Sequence, residues 1–355
     1  MSDHETPAAA EPSAAAQPSA AAQPSAAEWL RILSRYREPN GARSTFELVV
    51  TAVPFVVLWV LGWATWHYGY GLTALLFSVP AAGFLVRLFM IQHDCGHGAF
   101  FRHRLANDWV GRVIGVLTLT PYDAWKRSHA IHHGTSGNLD KRGTGDLETL
   151  TVREYRALPF LGRLRYRLYR NPIVLFGLGP VYMFGLRHRF PLATTFANWR
   201  GWISPMATNL GIAAVVVGAM WLVGWKTFLL TQVPITLIAG SIGIWLFFIQ
   251  HQFDDTFWAQ GDEWNVHEAA LRGSSYYVMP RILNWFTANI GIHHVHHLYA
   301  RIPYYRLPQV LRDQITLAQV SRVSLIESLR CARLALWDDA QNRLVTFREA
   351  RLLPA

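Results

Sequence analysis

The amino-acid sequence predicts an all-α integral membrane protein, with four transmembrane helices in two hairpins and a cytoplasmic helical cap that carries boxes of histidine. Three observations predict it. Four apolar runs, 46–66, 72–92, 202–223 and 228–250, are each long enough to cross a hydrocarbon core about 30 Å thick. Hydrophobic residues make up 51% of the chain and charged ones only 16%, against roughly 25% in a soluble domain. Lys and Arg are also one-sided: residues 93–201 hold 16, residues 251–355 hold 11, the first 45 residues hold 4, and the two hairpin turns hold only Lys226. The positive-inside rule then puts both termini and every histidine box on the cytoplasmic side, with the cell's inner membrane as the expected location.

In chain order, residues 12–29 read PSAAAQ, PSAAAQ, PSAAEW, a repeat with almost nothing to bury, so residues 1–27 are expected to be a disordered tail. It lacks the basic start and apolar centre of a signal peptide. Residues 28–45 carry Trp29, Leu30, Ile32, Leu33 and Tyr36 among four arginines and suggest a membrane-surface helix. Residues 46–306 form the membrane domain. In its first hairpin Glu47 is the only charge of the first run, and Arg87, near the end of the second, is expected to snorkel towards the interface. Residues 105–119 are too few to span and 172–186 are interrupted by Gly177, Gly179 and Pro180, so both are expected to be interfacial or buried. Residues 307–355 make a basic C-terminal region, in which Leu307 to Trp337 reads as an amphipathic helix or pair bearing arginines 312, 322, 330 and 333.

Histidine carries the chemistry. The stretch Ile292-His293-His294-Val295-His296-His297 holds an H-x-x-H-H pattern, His129-Ala130-Ile131-His132-His133 repeats it, and His93-Asp94-Cys95-Gly96-His97 has the related H-x-x-x-H. With 15 histidines in 355 residues, one H-x-x-H-H is expected by chance on the order of 0.03 times. On a helix, positions i, i+3 and i+4 share a face, so each box aims its imidazoles one way, whereas His294 points elsewhere. His251, just after the fourth apolar run, mirrors His93. Imidazole is the commonest metal ligand, and about eight converging is twice what one tetrahedral zinc site uses, which argues for two metals but leaves the element open. His4, His67, His103, His188 and His267 lie outside the boxes and are expected in ordinary roles. Cys95 and Cys331 are too few for a disulfide framework, and Cys95 reads as a small packing residue. The net charge of +10 comes with no nucleic-acid recognition motif.

From about Phe46 to Leu307 the chain resembles the membrane-bound fatty acid desaturases, whose three histidine boxes occur in this order between membrane hairpins. The stretches 93–97, Leu139 to Asp146, His251-Gln252-Phe253-Asp254-Asp255 and 291–297 look most like the delta-12 or omega-6 acyl-lipid group. The resemblance implies two irons per chain, held by His93, His97, His129, His132, His133, His293, His296 and His297 with His251 as a ninth ligand. It implies no catalytic side chain beyond these ligands. The implied reaction uses O2 and two electrons to place a cis double bond in an acyl-lipid or acyl-CoA substrate, oleoyl to linoleoyl. Electrons would come from a separate ferredoxin- or cytochrome-type donor, because no HPGG haem word is fused. Asp94, Asp146, Asp254 and Asp255 are candidates to accept the second N–H of ligating histidines, and Asn289 to hold a metal-bound water.

Other readings are a di-iron hydroxylase or ketolase acting on lipid, alkane or carotenoid, which shares the boxes, and a metal transporter or sensor. Transporters place ionisable groups at mid-membrane, whereas these histidines sit at the cytoplasmic helix ends. A zinc protease is excluded, since H-E-x-x-H is absent.

Overall fold

A computed structural model describes residues 24–143, 145–190 and 199–354. The tail expected over residues 1–27 therefore lies almost wholly outside the described residues. The helices are α1 (Ala26–Leu33), α2 (Gly41–His67), α3 (Gly71–Gly96), α4 (Arg104–Leu117), α5 (Tyr122–Thr135), α6 (Val152–Ala157), α7 (Phe160–Tyr169), α8 (Arg200–Val223), α9 (Trp225–His251), α10 (Val266–Arg272), α11 (Arg281–Phe286), α12 (His293–Leu298), α13 (Leu307–Asp313), α14 (Leu325–Cys331) and α15 (Glu349–Leu352). Short strands are β1 (Leu150–Thr151), β2 (Tyr276–Val278), β3 (Arg322–Ser324), β4 (Leu334–Asp338) and β5 (Arg343–Thr346).

The protein is mostly helical. Helices α2, α3, α8 and α9, of 27, 26, 24 and 27 residues, are long and apolar enough to cross a membrane. They extend the four apolar runs by up to five residues at an end, because capping and polar residues continue the backbone bonds past the hydrophobic stretch. Each pair turns sharply at a glycine, Gly69 and Gly224, whose φ values of 83° and 82° only glycine adopts without strain. Exposed Val49, Val53, Val56 and Val60 on α2 and Leu210, Val217 and Trp221 on α8 present apolar surface outward, as lipid-facing helices do. The core instead lies where α3 and α9 meet the cap, around Leu88, Ile91, Phe248 and Ile249.

Most of residues 105–119 fall in α4, and 174–186 hold two π-helical turns that lie along α9, Gly179 against Ile244 and Gly240 against Pro180 and Phe184. Three expectations are corrected. First, α1 buries Trp29 and Leu33 in the protein core rather than in lipid, and Tyr36 donates to Asp313 at 2.9 Å. Residues 28–45 are thus split between a docked helix and the start of α2. Second, Arg87 does not snorkel: it is 2% exposed and paired with Glu47 on the neighbouring helix. A buried partner removes the reason to reach for water. Third, Leu307 to Trp337 is not a helix pair. It runs through α13, a 3₁₀ turn (Ile315–Gln319), β3, α14 and β4, every residue of β4 being buried. β4 pairs in parallel with β1 and antiparallel with β5, while β2 and β3 pair in parallel. Arginines 312, 322, 330 and 333 remain exposed.

Candidate metal centre

Four elements converge. α3 carries His93 in its last turn, with His97 as its C-cap; α5 carries His129, His132 and His133; α9 ends on His251; and α12 carries His293, His296 and His297. Their ring nitrogens form two groups, each with its ligand atoms within 4.8 Å of one another: His93, His97, His129, His133 and His296, and His132, His251, His293 and His297. Boxes two and three are each divided between the groups. His132 leaves its box neighbours for the second group, and His296 leaves His293 and His297 for the first. The groups are adjacent, since His133 of one stacks on His297 of the other at 4.1 Å between ring centres.

Within the first group the Nε2 atoms of His93 and His129 are 3.0 Å apart, those of His129 and His133 3.1 Å, and those of His133 and His296 3.2 Å. Within the second, His251 Nε2 stands 3.1 Å from both His132 Nε2 and His293 Nε2. Ligand atoms about 2.1 Å from one ion have roughly this mutual spacing.

One pair tests the fit. His132 Nδ1 faces the Asp146 carboxylate and His251 Nδ1 faces the Gly273 carbonyl at 2.9 Å, both acceptors, so each Nδ1 carries the hydrogen. Each neutral ring then has a bare lone pair on Nε2. Two such lone pairs 3.1 Å apart repel unless a cation lies between them. The Nε2 atoms of His97 and His297 are likewise buried, without a hydrogen-bond partner among the described residues. Burial, then neighbouring imidazoles, hold His97, His129, His133, His293, His296 and His297 well below the ordinary histidine pKa, keeping them in the neutral, ligating form.

Of the acidic candidates, Asp146 accepts from His132 and Asp94 stands 3.4 Å from His93 Nδ1. Asp254 and Asp255 do not serve: both are exposed, and among the described residues neither bonds a box histidine, because the chain turns outward straight after Phe253. Asn289 donates its amide to the Tyr304 carbonyl at 3.5 Å. His294 Nε2 donates to the Leu317 carbonyl at 2.8 Å, a structural bond. Cys95 is fully buried, a packing residue. Sequence reasoning missed Trp125, stacked on His129 at 4.5 Å and 16°, although its i−4 spacing on α5 pointed to it. It also missed the Gly273 carbonyl, which leaves no trace in side-chain identity.

A cavity of about 530 Å³ is lined in part by His93, His129 and His293. Leu85, Phe89, Met183, Ile244 and Phe247 give it an apolar wall, and its size suits a small-molecule or lipid-chain site.

The fatty acid desaturase family model matches residues 74–322, seven-tenths of the chain and all three boxes. This chain belongs to the fatty acid desaturase family. The desaturase is 43% identical over 322 residues to a fatty acid desaturase of Bacillus subtilis, covering 91% of each chain. More distant relatives are a Synechocystis sn-1 acyl-lipid omega-3 desaturase (ferredoxin), 28% identical over 62% of this chain and 61% of its own, and a sn-1 oleoyl-lipid 12-desaturase of the same organism, 26% identical over 63% of each. The desaturase is an oxidoreductase and a membrane protein, and its histidine groups match the iron centres for which the family is known.

Proposed function

We propose that this desaturase holds two irons, one in each histidine group, and uses O2 with two electrons from a separate ferredoxin- or cytochrome-type donor to place a cis double bond in an acyl chain. The observation that carries the reading is that two adjacent histidine groups both contribute to the wall of one apolar cavity. The ligands would be His93, His97, His129, His133 and His296 for one iron, and His132, His251, His293 and His297 for the other. Iron supplies the O2 activation that no side chain can. The protein's own residues do the rest. Asp146 and the Gly273 carbonyl hold His132 and His251 in the tautomer that presents Nε2. The apolar wall binds the chain and excludes water, and Trp125 keeps the ring of His129 from turning. Two hydrogens leave adjacent methylenes, and with two electrons and two protons they reduce O2 to water.

The substrate is an acyl-lipid or acyl-CoA, and oleoyl to linoleoyl is the assignment we favour, supported by the stretches 93–97 and 251–255 and by likeness to a relative named as a 12-desaturase. Expression in a host that makes oleate but no dienes, followed by gas chromatography of its lipids, is expected to reveal linoleate dependent on O2 and on His293. Hydroxy or keto lipids would contradict desaturation in this chain; a monoene formed from saturated chains would contradict only the position.

The Lys and Arg asymmetry supports an orientation with both termini and the histidines in the cytoplasm, in the cell's inner membrane. Tyr68→Cys and Lys226→Cys, at exposed hairpin turns, are expected to react with an impermeant thiol reagent in intact cells, and Arg163→Cys, exposed on α7, only after lysis. Labelling of Arg163→Cys in intact cells would overturn the orientation.

A further inference from the structure

The two hairpin charges that the metal site does not use, Glu47 and Arg87, form a buried knot. Both are 2% exposed and ion-paired. Arg87 spends its remaining donors across the fold: Nε on Thr51 Oγ1 at 3.1 Å, Nη1 on the Trp285 carbonyl, and Nη2 on Tyr304 Oη at 3.4 Å. Its guanidinium lies 4.1 Å from the Trp285 ring centre and 5.3 Å from that of Tyr304. Glu47 is itself doubly held, receiving Tyr304 Oη at 3.1 Å on one oxygen and Arg43 at 2.6 Å on the other.

The placement in the chain gives the knot its meaning. Trp285 and Tyr304 flank the third box, residues 293–297, on either side. Arg87 sits six residues before His93 on the same helix, about 9 Å along its axis. One guanidinium thus fastens both ends of the segment carrying box three to the helix carrying box one. Tyr304 continues the link, its backbone N–H donating at 2.7 Å to Asp94, whose other oxygen faces His93. The rings of His93 and His296, one from each box, are 4.5 Å apart at the far end of this clamp.

We infer that Arg87, Glu47 and Tyr304 are positioning residues that set the register of the first and third histidine boxes, and so the geometry of the first histidine group. Burial inside the protein makes such a knot effective, because no bulk water competes for the guanidinium and its planar fork fixes direction as well as distance. The inference rests on the histidine groups holding metal, and the wild-type protein carrying no metal would refute that reading without bearing on the clamp's geometry.

The test compares wild type with Glu47→Gln/Arg87→Met, which removes both charges together and leaves no orphan ion inside, and with Tyr304→Phe. Helix content and a monodisperse detergent profile establish folding, and iron retained after timed exposure to a chelator is measured beside kcat and KM. The double variant is expected to lose iron at least about tenfold faster, the scale at which groups supporting ligands act, with kcat reduced and KM unchanged. Tyr304→Phe is expected to shift the same two quantities in the same direction by a smaller factor, and it decides the matter if the double variant does not fold. A folded double variant, or Tyr304→Phe in its stead, with wild-type iron retention and kcat would overturn the inference.

Discussion

His129→Ala and His296→Ala each leave a folded membrane protein without desaturase activity and with its iron depleted. Both rings sit in the five-histidine group, so truncating either removes one of its five candidate ligand atoms. The loss is expected to exceed the about 10–100-fold in metal affinity or activity that removing an outer partner costs. Asp146→Asn calibrates that scale. It leaves all nine histidines in place but exchanges the carboxylate facing His132 Nδ1 for an amide, and it is expected to fall within the 10–100-fold range. Metal analysis beside turnover on the same preparations separates the two effects. Retention of full iron and activity by His296→Ala would remove that residue from the ligand set.

The second large effect is on folding. Arg87→Met alone takes the buried cation away from the buried Glu47 carboxylate, which keeps only the half-exposed Arg43 and the Tyr304 hydroxyl. Breaking a buried pair from one side costs about 3–5 kcal/mol, against roughly 5–15 kcal/mol for the whole stability of a typical protein. The single variant is therefore expected to accumulate poorly and to melt well below wild type in detergent, while Glu47→Gln/Arg87→Met recovers much of the loss because no charge is left unpaired. Equal melting of the single and double variants would show that the ion pair carries no such weight.

The spans and the facing of the boxes were legible because both are local. Hydropathy over some twenty residues and spacing of i, i+3, i+4 need no knowledge of the rest of the chain. What was not legible is long-range. The division of His129, His132 and His133 between two groups depends on where α9 and α12 bring His251 and His293, and no spacing rule encodes that. Arg87 was misread for the same reason: its position near the end of an apolar run suggested snorkelling, while its partner lay forty residues earlier on another helix. The strand β4 looked like part of a basic amphipathic helix until its pairing with β1, far away in sequence, buried all five of its residues. Asp254 and Asp255 follow His251 by three and four residues, but the chain turns outward after Phe253, so closeness in sequence misled there.

The most direct measurement on the central claim is the metal content of purified, active protein. The two histidine groups predict about two irons per chain, both lost together with activity on chelation and restored together on adding ferrous iron. An active preparation carrying stoichiometric zinc and no iron would contradict the account.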